Sequence, residues 1–60
     1  MTGRLLTAVE VAALLAVPTG WVYRAAREGE IPSIRLGRYV RFDAADISAW
    51  VATRKMNSQS

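Results

Sequence analysis

The chain contains neither cysteine nor histidine. Without thiols there is no disulfide, and without thiols and imidazoles together the usual tetrahedral zinc site cannot be assembled. Imidazole acid–base chemistry is excluded with them. Any general base would be Asp, Glu, Lys or Tyr, and no pair of these is grouped in the sequence so as to frame a pocket. Ser33 and Ser48 have no activating neighbour, and no glycine-rich phosphate loop is present. The expectation is therefore a protein with no catalytic residue, no metal and no cofactor, and with no small-molecule ligand. Long apolar runs are missing too. The longest, Val11–Val17, is seven residues, against the roughly 20 of a spanning helix. No secretory signal is recognisable, so neither a membrane partner nor an extracellular location is expected. There is no internal repeat and no low-complexity segment.

What remains is a short, apolar and unevenly charged chain. Its 60 residues allow a single domain, and 52% of them are hydrophobic, which argues against disorder. With no covalent or metal staple, the core must hold by packing alone. The net charge is +3, and it is concentrated. Residues 20–42 hold five arginines (Arg24, Arg27, Arg35, Arg38 and Arg41) against Glu28 and Glu30. Elsewhere Arg4, Arg54 and Lys55 balance Glu10, Asp43 and Asp46. Arginine outnumbers lysine seven to one. A merely solubilising face more often uses lysine, whereas the guanidinium fork suits phosphate and guanine edges. A polyanionic partner is the expectation.

Helix signals punctuate the chain. After a short lead-in over Met1–Leu5, the string Thr7-Ala8-Val9-Glu10 fits a capping box, and the first helix is expected over about residues 8–15. Val11, Ala12 and Leu15 share a face, with Ala8 beside them. Pro18 cannot lie inside a helix but suits the start of one. A second helix is expected over about 19–28, closed by Gly29 in a left-handed conformation and barred from resuming by Pro32. Its apolar arc carries Val22, Ala25 and Ala26, and the opposite arc carries Gly20, Arg24 and Arg27. Trp21 and Tyr23 lie on the flanks. The short turn between these helices has helix-turn-helix spacing. Asp43 is the expected N-cap of a third helix over about 44–53, with Ile47, Trp50 and Val51 as its buried stripe. Trp50 is assigned to the core.

Between the second and third helices, two β-strands are expected over about 33–36 and 40–42. A loop of Gly37-Arg38-Tyr39 would pair Leu36 with Val40 and Ile34 with Phe42, gathering all four apolar side chains on one face. A two-residue turn of Gly37-Arg38 would instead pair Ile34 with Arg41. The three-residue loop is the expectation. It sets Arg35 and Arg41 together on the other face, where they repel unless an anion lies between them. The fold class is thus α+β: three short helices with a two-stranded hairpin wing. One domain spans residues 1–55, with a flexible C-terminal tail at 56–60.

The motifs Leu6-Thr7 with Glu10-Val11-Ala12, Val22-Tyr23-Arg24, Arg27-Glu28-Gly29-Glu30-Ile31-Pro32 and Arg35-Leu36-Gly37-Arg38 together resemble the small excisionase-type winged helix-turn-helix domain. That group is related to the DNA-binding domain of MerR-type regulators. The resemblance covers residues 5–51. It implies a phage- or mobile-element-encoded recombination directionality factor in the bacterial cytoplasm. Such a factor binds repeated double-stranded DNA sites, bends them beside neighbouring protomers, and helps an integrase to excise. By position, Thr19, Gly20, Trp21 and Arg24 match major-groove reading residues of the second helix. Arg35, Gly37, Arg38 and Arg41 match a wing that follows the minor groove and phosphates.

The residues themselves leave several roles open. Arg24 suits a bidentate contact to guanine or a phosphate clamp. Arg27 suits phosphate or a surface pair with Glu30 or Glu28. Arg38 at the wing tip suits a narrow, A·T-rich minor groove. Tyr39 suits phosphate or packing, Arg35 and Arg41 suit phosphate, and Tyr23 completes the candidates on the second helix. Thr7 is an N-cap that can also face phosphate at a helix start. Trp21 suits a thymine methyl, the core or a neighbouring protein molecule. A small MerR-like transcriptional regulator and, in a different class, an adaptor for an acidic protein partner stand as alternatives to the excisionase.

Overall fold

The computed structural model describes residues 4–55. In chain order these form β1 (Leu5–Leu6), α1 (Ala8–Leu15), α2 (Thr19–Arg27), β2 (Ile34–Leu36), β3 (Tyr39–Asp43) and α3 (Ala44–Arg54). The result is an α+β winged helix-turn-helix. The tail expected at 56–60 lies outside the described residues.

The capping box at Thr7 forms as the sequence dictates. The Glu10 amide donates to Thr7 Oγ1 at 3.1 Å, and the Thr7 amide donates to Glu10 Oε1 at 2.9 Å. Two of the orphan donors at the start of α1 are thereby satisfied. The other end of α1 closes less comfortably. Ala16 takes φ 58°, the one non-glycine residue with positive φ among those described. The Val17 amide reaches back to Ala12 O and the Ala16 amide to Ala13 O, the paired bonds of a Schellman ending. That motif recurs after α2, where Glu30 donates to Ala25 O and Gly29 to Ala26 O. There the left-handed position is filled by Gly29 at φ 73°, as expected, and needs no Cβ to be accommodated.

Pro18 is the N-cap of α2, with Thr19 as the first helical residue and no side-chain capping bond. Asp43 caps α3 by accepting from the Ala45 and Asp46 amides at 2.8 and 3.3 Å. These bonds partner its carboxylate although the residue is buried.

Leu6, Ala8, Val11, Ala12, Val22, Ala25, Ile31, Phe42 and Ile47 form the core. Small residues on facing sides of α1 and α2 (Ala8, Ala12 and Ala25) let the two helices approach closely. Phe42 and Ile47 are the bulkiest of its fully buried side chains and fill the space against β3 and α3. Trp50 departs from its expected place in the core: it is half-buried and packs against the cluster from outside. The reason is its indole N–H, which donates to Glu30 O at 2.8 Å and holds the ring at the rim.

Two further expectations are corrected. The lead-in contains a strand. β1 pairs antiparallel with β3 (Leu5 opposite Asp43, Leu6 opposite Phe42), so the sheet has three strands in the order β1-β3-β2. The Ala44 amide extends this junction by donating to Arg4 O at 3.0 Å. A strand of two residues is too short to show alternation, so no periodicity announces it.

The hairpin register also differs from the three-residue loop. Leu36 pairs with Tyr39, Arg35 with Val40 and Ile34 with Arg41. The turn is therefore Gly37-Arg38, with Gly37 at φ 61°. Positive φ at the first turn residue alone is the type II′ pattern, whose twist matches that of the flanking strands. Turn chemistry prevails over gathering the apolar residues because the outer wing leaves the body. Leu36 and Tyr39 remain 47% and 52% exposed, so little burial is forfeited. Only Phe42, at the base, is fully buried, with Val40 half-buried on the same face. Arg35 and Arg41 consequently point to opposite faces, and the expected repulsion between them does not arise.

Candidate nucleic-acid interface

The apolar side of α2 is fixed by Val22 and Ala25, which are buried, with Ala26 packed at the edge. At 100° per residue that burial turns Gly20, Tyr23 and Arg27 to solvent. A Cβ built on Gly20 would meet nothing within 4 Å, so no neighbouring atom demands glycine there. Trp21 takes the flank: it packs against the core cluster while remaining half-exposed. Thr19 and Thr7 are also half-buried, at the starts of α2 and α1 respectively.

Arg24 is the most constrained guanidinium on the helix. Its Nη1 lies 2.8 Å from Glu28 Oε1, one turn on, and 3.8 Å from Glu30 Oε2 beyond the helix end. Its Cζ stands 5.6 Å from the centre of the Trp21 ring, within cation–π range. A surface pair with Glu30 or Glu28 was the alternative to phosphate for Arg27, but both carboxylates reach Arg24. The i,i+4 spacing of Arg24 and Glu28 was the available signal. Arg27 makes no ion pair among the described residues.

The wing forms a second cluster. Tyr39 carries two guanidiniums: Arg38 Cζ is 5.5 Å and Arg41 Cζ 5.3 Å from the ring centre. Arg41 additionally donates from Nη1 to Val40 O at 2.9 Å. Gly37 supplies the turn that brings Arg38 beside Tyr39. Arg35 stands apart, exposed on the face opposite Arg41. Among the described residues, none of these three wing arginines is neutralised by a carboxylate. The structure thus brings together Trp21 with Arg24, and Arg38 with Tyr39 and Arg41. These contacts form two separate clusters. No group of acidic side chains capable of holding a metal occurs among the described residues, and no helix there is long and apolar enough to cross a membrane.

Residues 5–55 match the sequence pattern of a known family described as "Helix-turn-helix domain". The chain belongs to that family. The match extends beyond the two helices that give the domain its name, through the wing and across α3. Two proteins of Mycobacterium tuberculosis named for DNA binding are similar to this helix-turn-helix chain: MT0521 of strain CDC 1551 / Oshkosh and Rv0500A of strain ATCC 25618 / H37Rv. Each is 42% identical over 50 residues, which is 83% of this chain and 64% of the relative. The helix-turn-helix chain therefore spans somewhat under two thirds of those relatives. No solved structure gives a significant match.

Proposed function

We propose that this protein binds duplex DNA with a sequence preference and bends it, acting as an excisionase, or recombination directionality factor, for the integrase of a phage or mobile element. The observation that carries the DNA-binding part is the charge left unpaired on a helix-turn-helix frame. Arg27, Arg35, Arg38 and Arg41 make no ion pair among the described residues. They sit on a helix and a two-stranded ribbon, shapes that enter a groove or track its phosphates. In this reading α2 enters the major groove. Thr19, Gly20, Trp21, Tyr23 and Arg24 meet bases or sugar-phosphate edges there, and Arg27 meets phosphate. The wing lies along the minor groove, with Arg38 directed into it and Arg35, Tyr39 and Arg41 on phosphate. Thr7 adds a phosphate contact at the start of α1. The protein works by binding, without catalysis.

The role as excisionase rests on the motif resemblance and on size. A domain this small makes few base contacts, so useful affinity calls for several protomers on adjacent sites, linked through the DNA and one another. Mobility shift on mixed-sequence duplex tests the first part. Retardation at low salt that weakens steeply as salt rises supports DNA binding, whereas no retardation favours an adaptor for an acidic protein. Footprinting beside a candidate attachment site, with and without integrase, tests the second. Protection there together with stimulated excision supports the directionality factor, and protection of a promoter instead identifies a MerR-like regulator.

A further inference from the structure

Two carboxylates on a surface meant to meet phosphate are a cost that needs a reason. Each repels the duplex, and as solvent-exposed partners of an arginine they add little to stability. Glu28 and Glu30 nevertheless both approach Arg24, and both do so at the same nitrogen, Nη1. With Trp21 flanking the guanidinium, the side chain is restrained from two directions. The other edge of the fork, Nε with Nη2, makes no hydrogen bond among the described residues. Two parallel donors on one guanidinium edge match the O6 and N7 acceptors of guanine in the major groove.

We propose that Glu28 and Glu30 are specificity-determining positioning residues, which hold Arg24 by Nη1 against Trp21 so that its Nε/Nη2 edge reads a guanine. The proposal rests on the DNA-binding reading above. The carboxylates act twice. They fix the rotamer of a side chain that would otherwise sweep a wide arc, and ordering it beforehand lowers the entropy lost on binding the correct base. They also neutralise Arg24 as a phosphate ligand, so a site offering only phosphate at that place gains little from it and still meets the negative charge. Discrimination therefore comes partly from a penalty on the wrong partner.

Selection from a duplex pool with a randomised core, read by sequencing, tests this. Total affinity for the unselected pool is measured alongside by fluorescence anisotropy. The wild-type chain is expected to enrich a guanine at one position, and Arg24→Ala to lose that enrichment. The double variant E28Q/E30Q is expected to bind the unselected pool on the order of fivefold more tightly while guanine enrichment at that position falls. A folding defect would lower both quantities, whereas the assigned role moves them in opposite directions. Adding E28Q/E30Q to Arg24→Ala should change pool affinity alone. If E28Q/E30Q keeps the wild-type guanine enrichment, the carboxylates are surface charge and the inference falls, with DNA binding intact. If the wild-type chain binds no duplex at all, the inference and the proposed function fall together.

Discussion

The indole N–H of Trp50 donates to the carbonyl oxygen of Glu30 at 2.8 Å, across 20 residues of sequence. This bond ties α3 to the turn that ends α2, at a residue whose amide also donates to Ala25 O and whose carboxylate lies 3.8 Å from Arg24 Nη1. It also explains why a tryptophan at core spacing stays at the rim. Replacing Trp50 with Phe keeps most of the apolar contact and removes the donor. The expected loss is about 1 kcal/mol in urea denaturation, together with a weaker guanine preference. A fully stable Trp50→Phe variant would show that the bond contributes nothing.

Ala16 occupies a left-handed position, at φ 58°, that glycine adopts without a Cβ penalty. The Ala16→Gly variant is expected to gain roughly 0.5–1 kcal/mol with DNA affinity unchanged. Thermal or chemical unfolding would show it, and a lowered midpoint would mean that the added freedom of the unfolded chain outweighs relief of the strain.

The capping box joins Thr7 and Glu10 through two hydrogen bonds, and Glu10 also pairs with Arg4 at 3.2 Å. Thr7→Ala is expected to destabilise by about 1 kcal/mol. Thr7→Ser retains the hydroxyl and should restore most of that stability. If both variants also lose DNA affinity by the same factor at saturating stability, the methyl group and not the cap touches the duplex.

Four to six neutralised phosphates per protomer would give a log–log salt slope of about −4 to −5. On that basis Arg38→Ala should weaken binding to every sequence alike and make the slope shallower by about 1. Arg24→Ala should instead relax sequence preference by about 1–3 kcal/mol. Titrations on several duplexes at graded salt separate the two behaviours, and a slope near zero for the wild-type chain would remove DNA from the account.

Tyr39 stands beside the guanidiniums of Arg38 and Arg41. Tyr39→Phe keeps the ring but removes the hydroxyl placed on phosphate, a loss of about 1 kcal/mol, whereas Tyr39→Ala should also free both side chains and weaken binding by about 1 kcal/mol more. Equal losses in the two variants would assign the role to the phenol hydroxyl.

Most of the frame was legible in the chain because its signals are local. Thr7 with Glu10, Asp43, Gly29 and Pro18 act on backbone groups within a few residues, so the bounds of all three helices follow from their neighbours. The core positions on α1 and α2 follow from helical spacing. The wing register did not follow, because the choice lay between two local demands, a turn led by Gly37 and a common face for Ile34, Leu36, Val40 and Phe42. Only the position of the wing outside the body decided it.

What the sequence determined by itself is therefore the order and ends of the helices, the hairpin between them and the concentration of arginine on two elements. These are consequences of capping, periodicity and charge, each readable within one segment. The tertiary structure alone decided that Leu5–Leu6 forms a third strand and that Trp50 reaches Glu30. Each depends on how separate segments lie against one another, which the core around Phe42 and Ile47 sets.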